Sequence, residues 1–385
     1  MISECPKKTL RLTILDKNRE SKFFQPVPLS TLSGRSEVSF TKLPYLLFLL
    51  FGLLWAGCAA PAEHLVLFEG GTMGTSYHIS YGSFSGDVDA VALADQHEVD
   101  SMLVALNQSL STYIDTSLLS SVNASLDTTA WHLVDKHFVA VLGRSQQIHK
   151  DTDGAFEPAI GPLVDAYGFG PVARGQAPDS ARVVELLQQV DFDSFLMDAS
   201  KGAVQKRNPI ARLDFSAIAK GYGVDLIADF FAARGTSNYF VEIGGEIRTG
   251  GIHPEGRAWR TGIEKPSLNS DSDQEMQEIV EMNNVAMATS GNYRNFYEQD
   301  GKKFVHIIDP WTGFSRPSSL LSVSVVAADC MTADAYATAL MVMGVEKGLA
   351  FVESRPALEA FFISADDDGL FRETRSSGFP VSVSE

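Results

Sequence analysis

Cysteine is scarce: Cys5, Cys58 and Cys330 are the three in a chain of 385 residues. Only Cys330 lies in the body of the protein, so an internal disulfide is excluded and no Cys/His metal cluster is available. Clustered positive charge is missing too. With 31 Lys and Arg against 48 Asp and Glu, the formal net charge is −17, which repels phosphate backbones and excludes nucleic acid as a partner. No GxGxxG opens a helix after a strand, and GxxxxGK[ST], HExxH and a catalytic Ser elbow are all absent. Those absences remove the commonest nucleotide, zinc-protease and serine-hydrolase signatures. No repeat or long low-complexity tract occurs.

What is present is an ordinary globular balance, 45% hydrophobic and 21% charged, with enough length for one large domain or two closely packed ones. The N-terminus is a separate object. Residues 1–42 carry eight Lys and Arg against four Asp and Glu, and the apolar run YLLFLLFGLLWA follows from Tyr45 to Ala56, just before Gly57 and Cys58. That run is too short to span a bilayer comfortably but suits the apolar core of a signal peptide. Small residues ahead of Cys58 resemble a lipoprotein signal with Cys58 as the lipid acceptor. It departs from the usual pattern in Trp55, where Leu is common, and in its long leading segment; an uncleaved anchor would also put the body outside the cytoplasm. The reading is therefore a leader over 1–57, a linker over 58–63 and one domain over 64–385. Without the leader, whose net charge is +4, the body carries about −21.

Along the body, His64–Phe68 and Tyr77–Tyr81 are predicted strands flanking the turn EGGTMGTS. Apolar residues recur at helical spacing over Asp87–Leu110 and Trp131–Lys150. DTDGAFEP then forms a loop punctuated by Gly154 and Pro158. Further helices are expected over Ser180–Val190 and Ala217–Arg234, with a hairpin over Phe195–Lys206. From Tyr239 to Val326 the pattern is rich in strands, interrupted by an exposed loop over Leu268–Gln277. Strands and helices mixed without a βαβ rhythm predict an α+β fold with mixed or antiparallel sheets packed by helices.

The densest chemical signal is MTADAYATALMVMG, Met331–Gly344, where Asp334 and Thr338 stand four residues apart in an apolar helical run. That spacing puts both oxygens on one face, where they could hold a hard cation; a capped helix start would explain Asp334 equally well. Other polar or adaptable residues in turn-rich settings are Met73, Tyr113, Glu157, Asp214, Lys220, His306 and Asp309. Each alone has a bland alternative: core packing for Met73 and Tyr113, a helix cap for Glu157, a salt bridge between Asp214 and Lys220, and a satisfied structural residue for His306.

Taken in order, the segments GGTMGTSYHI, LSTYIDTSLLSSVN, TDGAFEPAIGPLVDAYGFG, LDFSAIAKGYGVD, VEIGGEIRTGG, ATSGNYRNF, HIIDPWTG and ADAYATALMVMG resemble the ApbE family of FAD:protein FMN transferases. The resemblance implies a set of roles. Asp334, Thr338 and the main-chain carbonyl of Ala217 would hold Mg²⁺. Met73, Tyr113, Ala155, Phe156, Glu157, Asp214, Lys220, Ser290, Gly291, His306 and Ile308 would contact FAD. Glu157 stands where the family more often has Asp. His306, with Asp309, is the candidate to position or deprotonate the acceptor hydroxyl, while Lys220 steadies the diphosphate.

The implied reaction moves FMN from FAD to a threonine of a flavoprotein subunit, of the sodium-pumping NADH:quinone reductase or Rnf type, releasing AMP. The implied address is the periplasmic face of a bacterial membrane, reached through the lipid on Cys58. Ala59 supplies no acidic inner-membrane retention residue and hints at the outer membrane. Two alternatives are a periplasmic FAD-binding carrier lipoprotein and an FAD pyrophosphatase giving FMN and AMP.

Overall fold

The computed structural model describes residues 63–171, 177–266, 276–292, 296–300, 302–315, 318–366 and 368–380, all within the compact unit Pro61–Glu385. The leader, nearly all of the linker and Cys58 lie outside the described residues. Among those described, no helix is long and apolar enough to cross a membrane.

The chain opens with a hairpin, β1 (His64–Thr72) and β2 (Thr75–Ser83), and continues through α1 (Val88–Leu110), α2 (Leu118–Ala124), β3 (Trp131–Leu133), α3 (Lys136–Asp151), α4 (Gly161–Ala166) and α5 (Ser180–Leu187). Then come β4 (Phe195–Asp198), β5 (Ala203–Lys206), α6 (Ala219–Ala233), β6 (Tyr239–Ile243), β7 (Glu246–Gly250), β8 (Trp259–Glu264), β9 (Met276–Met282) and β10 (Ala286–Gly291). The chain finishes with β11 (Phe296–Gln299), β12 (Lys302–Val305), β13 (Leu320–Ala327), α7 (Cys330–Met343), α8 (Val345–Glu353), β14 (Glu359–Ala365) and β15 (Phe371–Arg375). The fold is α+β, as the pattern predicts.

Eight strands make the main sheet in the order β1-β2-β6-β7-β10-β13-β14-β15, and every neighbouring pair is antiparallel. Its two faces follow from the strand period of two. In β14, Ala360 and Phe362 enter the core beneath α7, while Phe361 and Ile363 enter the opposite core. That second core is closed by the β8–β9 hairpin through Trp259, Ile263, Val280 and Met282. On the helix side, α1 and α6 cover β1, β2 and β6, and α7 lies across β7, β10 and β13. Each fully buried large apolar side chain contributes about 1.5–3 kcal/mol, so this double-sided sheet is a stable platform for the loops and helix turns around it.

Helix starts follow their caps. Asp87, Ser117, Asp135, Asp179 and Asp329 each accept a backbone N–H from the first turn of α1, α2, α3, α5 and α7. Asp225, on α6, adds two more bonds to the start of α7, from the N–H groups of Cys330 (2.9 Å) and Met331 (2.8 Å). Burial pushes the Asp225 carboxyl up to about 6 against these donors and Arg248.

Three expectations change. The helix over Trp131–Lys150 begins only at Lys136: Trp131–Leu133 pair with Gln205–Ala203 as a strand, and the Asp135 cap separates the two. The strands around EGGTMGTS run on until two residues remain, Met73 (φ 49°) and Gly74 (φ 75°), a turn with both residues left-handed that suits the strand twist. Of the loop over Leu268–Gln277, residues 268–275 lie outside the described residues, and Met276 and Gln277 open β9 instead.

Candidate active site

The loop ahead of α6, the first turn of α6, the middle of α7 and the tips of two hairpins converge on one region. Asp334 is 3% exposed. Its Oδ2 accepts the Gly221 backbone N–H at 2.9 Å, and its Oδ1 lies 3.9 Å from the Lys220 ammonium. Thr338, one turn on, exchanges a hydrogen bond with Ser290 of β10 at 3.1 Å. The predicted metal pair and Ser290 are thus brought together, and Asp334 is not a helix cap; Asp329 has that task.

Lys220 does not pair with Asp214, the bland alternative. Its ammonium sits 2.9 Å from Glu246 Oε1 at the start of β7. Burial raises both the Glu246 and Asp334 carboxyls, with Lys220 opposing. For Lys220, burial works against the charge, yet Asp334 and Glu246 outweigh it and keep the ammonium protonated. Asp214 instead shapes its own loop, accepting the Ser216 N–H at 2.8 Å, while its backbone N–H bonds the Pro158 carbonyl at 2.7 Å. That last bond ties LDFSAIAKG to the DGAFEP loop.

Within the DGAFEP loop, Ala155 and Phe156 are buried at 2% exposure. Glu157 accepts the Ala159 N–H at 2.7 Å and faces His149 Nδ1 at 3.4 Å. It holds the chain just before α4 without capping that helix, which starts from Ile160. Burial pushes the Glu157 carboxyl up to about 7. Met73, at the hairpin tip, reaches the first turns of α6: a Cβ placed on Gly223 would lie 3.4 Å from Met73 Cε.

On the other flank, Tyr113 is exposed and its hydroxyl donates to the Phe169 carbonyl at 3.1 Å, while the Phe169 ring meets His306 edge-on at 6.3 Å. Phe169 therefore links two predicted site residues. Ile308 is buried, bridged to Ser315. Asp309 Oδ1 accepts the N–H groups of Trp311 (2.9 Å) and Thr312 (3.1 Å), so that oxygen anchors the DPWTG turn. A cleft of about 220 Å³ opens between this turn and α7, lined by Ile307, Asp309, Thr312, Met341 and Val342 among others. Gly291, beside Ser290, ends β10.

The chain matches the ApbE family over residues 73–362. It is 40% identical over 333 residues to the FAD:protein FMN transferase of Vibrio cholerae, covering 86% of this chain and 97% of that one. The chain belongs to the ApbE family. The Haemophilus influenzae FAD:protein FMN transferase is 34% identical over 325 residues, covering 84% of this chain and 92% of the relative. Among solved ApbE structures, the Vibrio cholerae flavin transferase superposes with a TM-score of 0.74 at 38% identity, covering 82% of this chain and 98% of its own. The apo flavinyl transferase of Pseudomonas stutzeri gives 0.73 at 33% identity, covering 83% and 98%.

Four ApbE residues at this site lie outside the sequence reading: Glu246, Gly221, Phe169 and His149. Glu246 carried a signal, since an acid directly follows Gly244-Gly245 at the start of a strand. The others became visible only through their contacts.

A divalent cation suits the donor chemistry here. Two buried carboxylates face one ammonium; among the described residues Asp334 Oδ1 has only the long Lys220 contact and Glu246 Oε2 is buried without a hydrogen-bond partner. Among the described residues no cluster of three or more His, Cys, Asp or Glu could hold a metal. An ion would complete its shell with a hydroxyl, a main-chain carbonyl, phosphate oxygens and water, which is the habit of Mg²⁺.

Proposed function

We propose that this ApbE-family chain is a Mg²⁺-dependent FAD:protein FMN transferase that moves FMN from FAD to a threonine hydroxyl and releases AMP. The observation that carries the reading is the contact of half-buried Lys220 with buried Asp334, with Thr338 one turn on bonded to Ser290 of β10: a cation and hard oxygen donors stand together on a rigid helix pair and the strand beneath it, where a diphosphate needs both. Asp334, Thr338 and the Ala217 carbonyl would hold Mg²⁺, which supplies neutralisation of charge developing on the split pyrophosphate.

Lys220 binds a diphosphate oxygen and orients the FMN-side phosphorus. Met73 lies against the flavin, and Tyr113, on the Phe169 side, stacks on a ring of the dinucleotide. Ala155, Phe156, Glu157 and Asp214 shape the two joined loops that hold the rest of the nucleotide, with Ser290, Gly291 and Ile308 closing the pocket. His306 takes the proton of the acceptor hydroxyl as the oxygen–phosphorus bond forms and the bond to the AMP phosphate oxygen breaks. Asp309 orients the turn beside it. The acceptors are flavoprotein subunits of the sodium-pumping NADH:quinone reductase or Rnf type, met at the periplasmic face of a membrane to which Cys58 is lipid-anchored.

The test is intact-mass analysis of a threonine-bearing acceptor domain incubated with the leaderless protein, FAD and Mg²⁺, beside Asp334→Ala. The expected result is an FMN mass gain that the variant abolishes. AMP release without mass gain would make the protein a pyrophosphatase, and tight FAD binding with neither product would make it a carrier.

A further inference from the structure

Glu246 is 3% exposed, and one of its two oxygens has no hydrogen-bond partner among the described residues. A buried carboxylate so poorly satisfied is a poor stabiliser; an apolar residue would serve the sheet as well, as Ile247 beside it does. Its surroundings show what it does instead. Gly244 (φ 61°) and Gly245 (φ 104°) make the tight turn that leads directly into Glu246. A Cβ on Gly244 would lie 3.4 Å from Lys220 Cδ and 2.8 Å from Thr75 Cγ2, so the lysine stem runs along this turn, confined on one side by the β1–β2 hairpin. The ammonium at the end of that stem meets Glu246 Oε1 at 2.9 Å before it meets Asp334 at 3.9 Å.

A lysine has four side-chain torsions and is a poor point of aim unless something fixes its head. We infer that Glu246 is a positioning residue that pins the Lys220 ammonium beside Asp334, so that Lys220 addresses the FAD diphosphate from one fixed direction. The inference rests on the reading that Lys220 faces that diphosphate. The Gly244-Gly245 turn is the second half of the device, because it lets the backbone approach closely enough for Glu246 to reach.

The experiment compares wild type with Glu246→Gln and Glu246→Asp in the leaderless protein. One readout is the rate of Lys220 acetylation by acetic anhydride, followed by peptide mass spectrometry; the other is steady-state transfer. With the carboxylate charge removed, Lys220 acetylation is expected to rise at least about fivefold while exposed Lys201 is unchanged, and kcat to fall roughly 10- to 100-fold with a smaller change in the KM for FAD. Glu246→Asp keeps the charge with a shorter reach and falls between. Unchanged Lys220 reactivity in both variants overturns the inference, as does a loss of folding without selective labelling, which would assign Glu246 a structural role. Labelling needs no turnover, so an inactive wild type would overturn the transferase reading alone and leave this one decided by Lys220 reactivity.

Discussion

Gly221 and Asp334 touch across two helices: the glycine N–H donates to Asp334 Oδ2 at 2.9 Å, and a Cβ at residue 221 would lie 2.8 Å from Asp334 Cβ and collide with the Cys330 carbonyl. Gly→Ala in an ordinary helix gains about 1 kcal/mol. Here the obstacle is backbone and cannot swing aside, and such overpacking costs about 1–3 kcal/mol. Gly221→Ala is therefore expected to lose stability in urea unfolding and to lose transfer activity with it, because Asp334 is displaced. A variant more stable than wild type would show that α6 and α7 separate freely.

Glu157 makes stability depend on pH. A carboxyl raised from 4.5 to about 7 by burial binds its proton more tightly folded than unfolded. Its contribution is fully present below 4.5 and is lost as pH rises through 7. The shift corresponds to about 3 kcal/mol. Glu157→Gln keeps the acceptor for the Ala159 N–H but cannot ionise. Relative to wild type it should gain about that much between pH 4.5 and pH 8, checked by urea unfolding at both; a constant difference would contradict the raised carboxyl.

His306→Ala should lower transfer at neutral pH by roughly 10²–10⁴-fold even with FAD saturating, the span for a removed general base. Single-turnover transfer at saturating FAD measures it. Near-wild-type rates would remove His306 from proton transfer.

Asn123 serves the site from a distance. Its amide donates to the Leu213 carbonyl and accepts the Leu213 N–H, both at 2.8 Å, and its own carbonyl receives the buried Lys206 ammonium at 2.7 Å. Asn123→Ala strands both backbone groups of Leu213, at about 1–3 kcal/mol each. Because Asp214 is the next residue, the KM for FAD is expected to rise along with the loss of stability, measured by denaturation and by FAD titration.

Much of this was legible in the chain. The α+β class followed from mixed periodicities, and the hairpin over Phe195–Lys206 and the helix near Ser180 stand where predicted. Asp334 and Thr338 share a helix face because 3.6 residues per turn requires it. Trp131–Leu133 misled because three apolar-flanked residues ahead of a true helix imitate its first turn, and only pairing with β5 makes them a strand.

By itself the sequence determined which residue types stood ready: a carboxylate and hydroxyl at helical spacing, a lysine beside small residues, a histidine before a proline turn, and a body without disulfides. Those are properties of local period and composition. Only the tertiary structure decided who pairs with whom. Lys220 could have met Asp214, six residues away, yet antiparallel pairing of β6 with β7 delivers Glu246 to it from 26 residues downstream, and the close approach at Gly221 delivers Asp334 from 114. Local spacing cannot encode such meetings, because they depend on sheet register and on how closely two helix backbones pack.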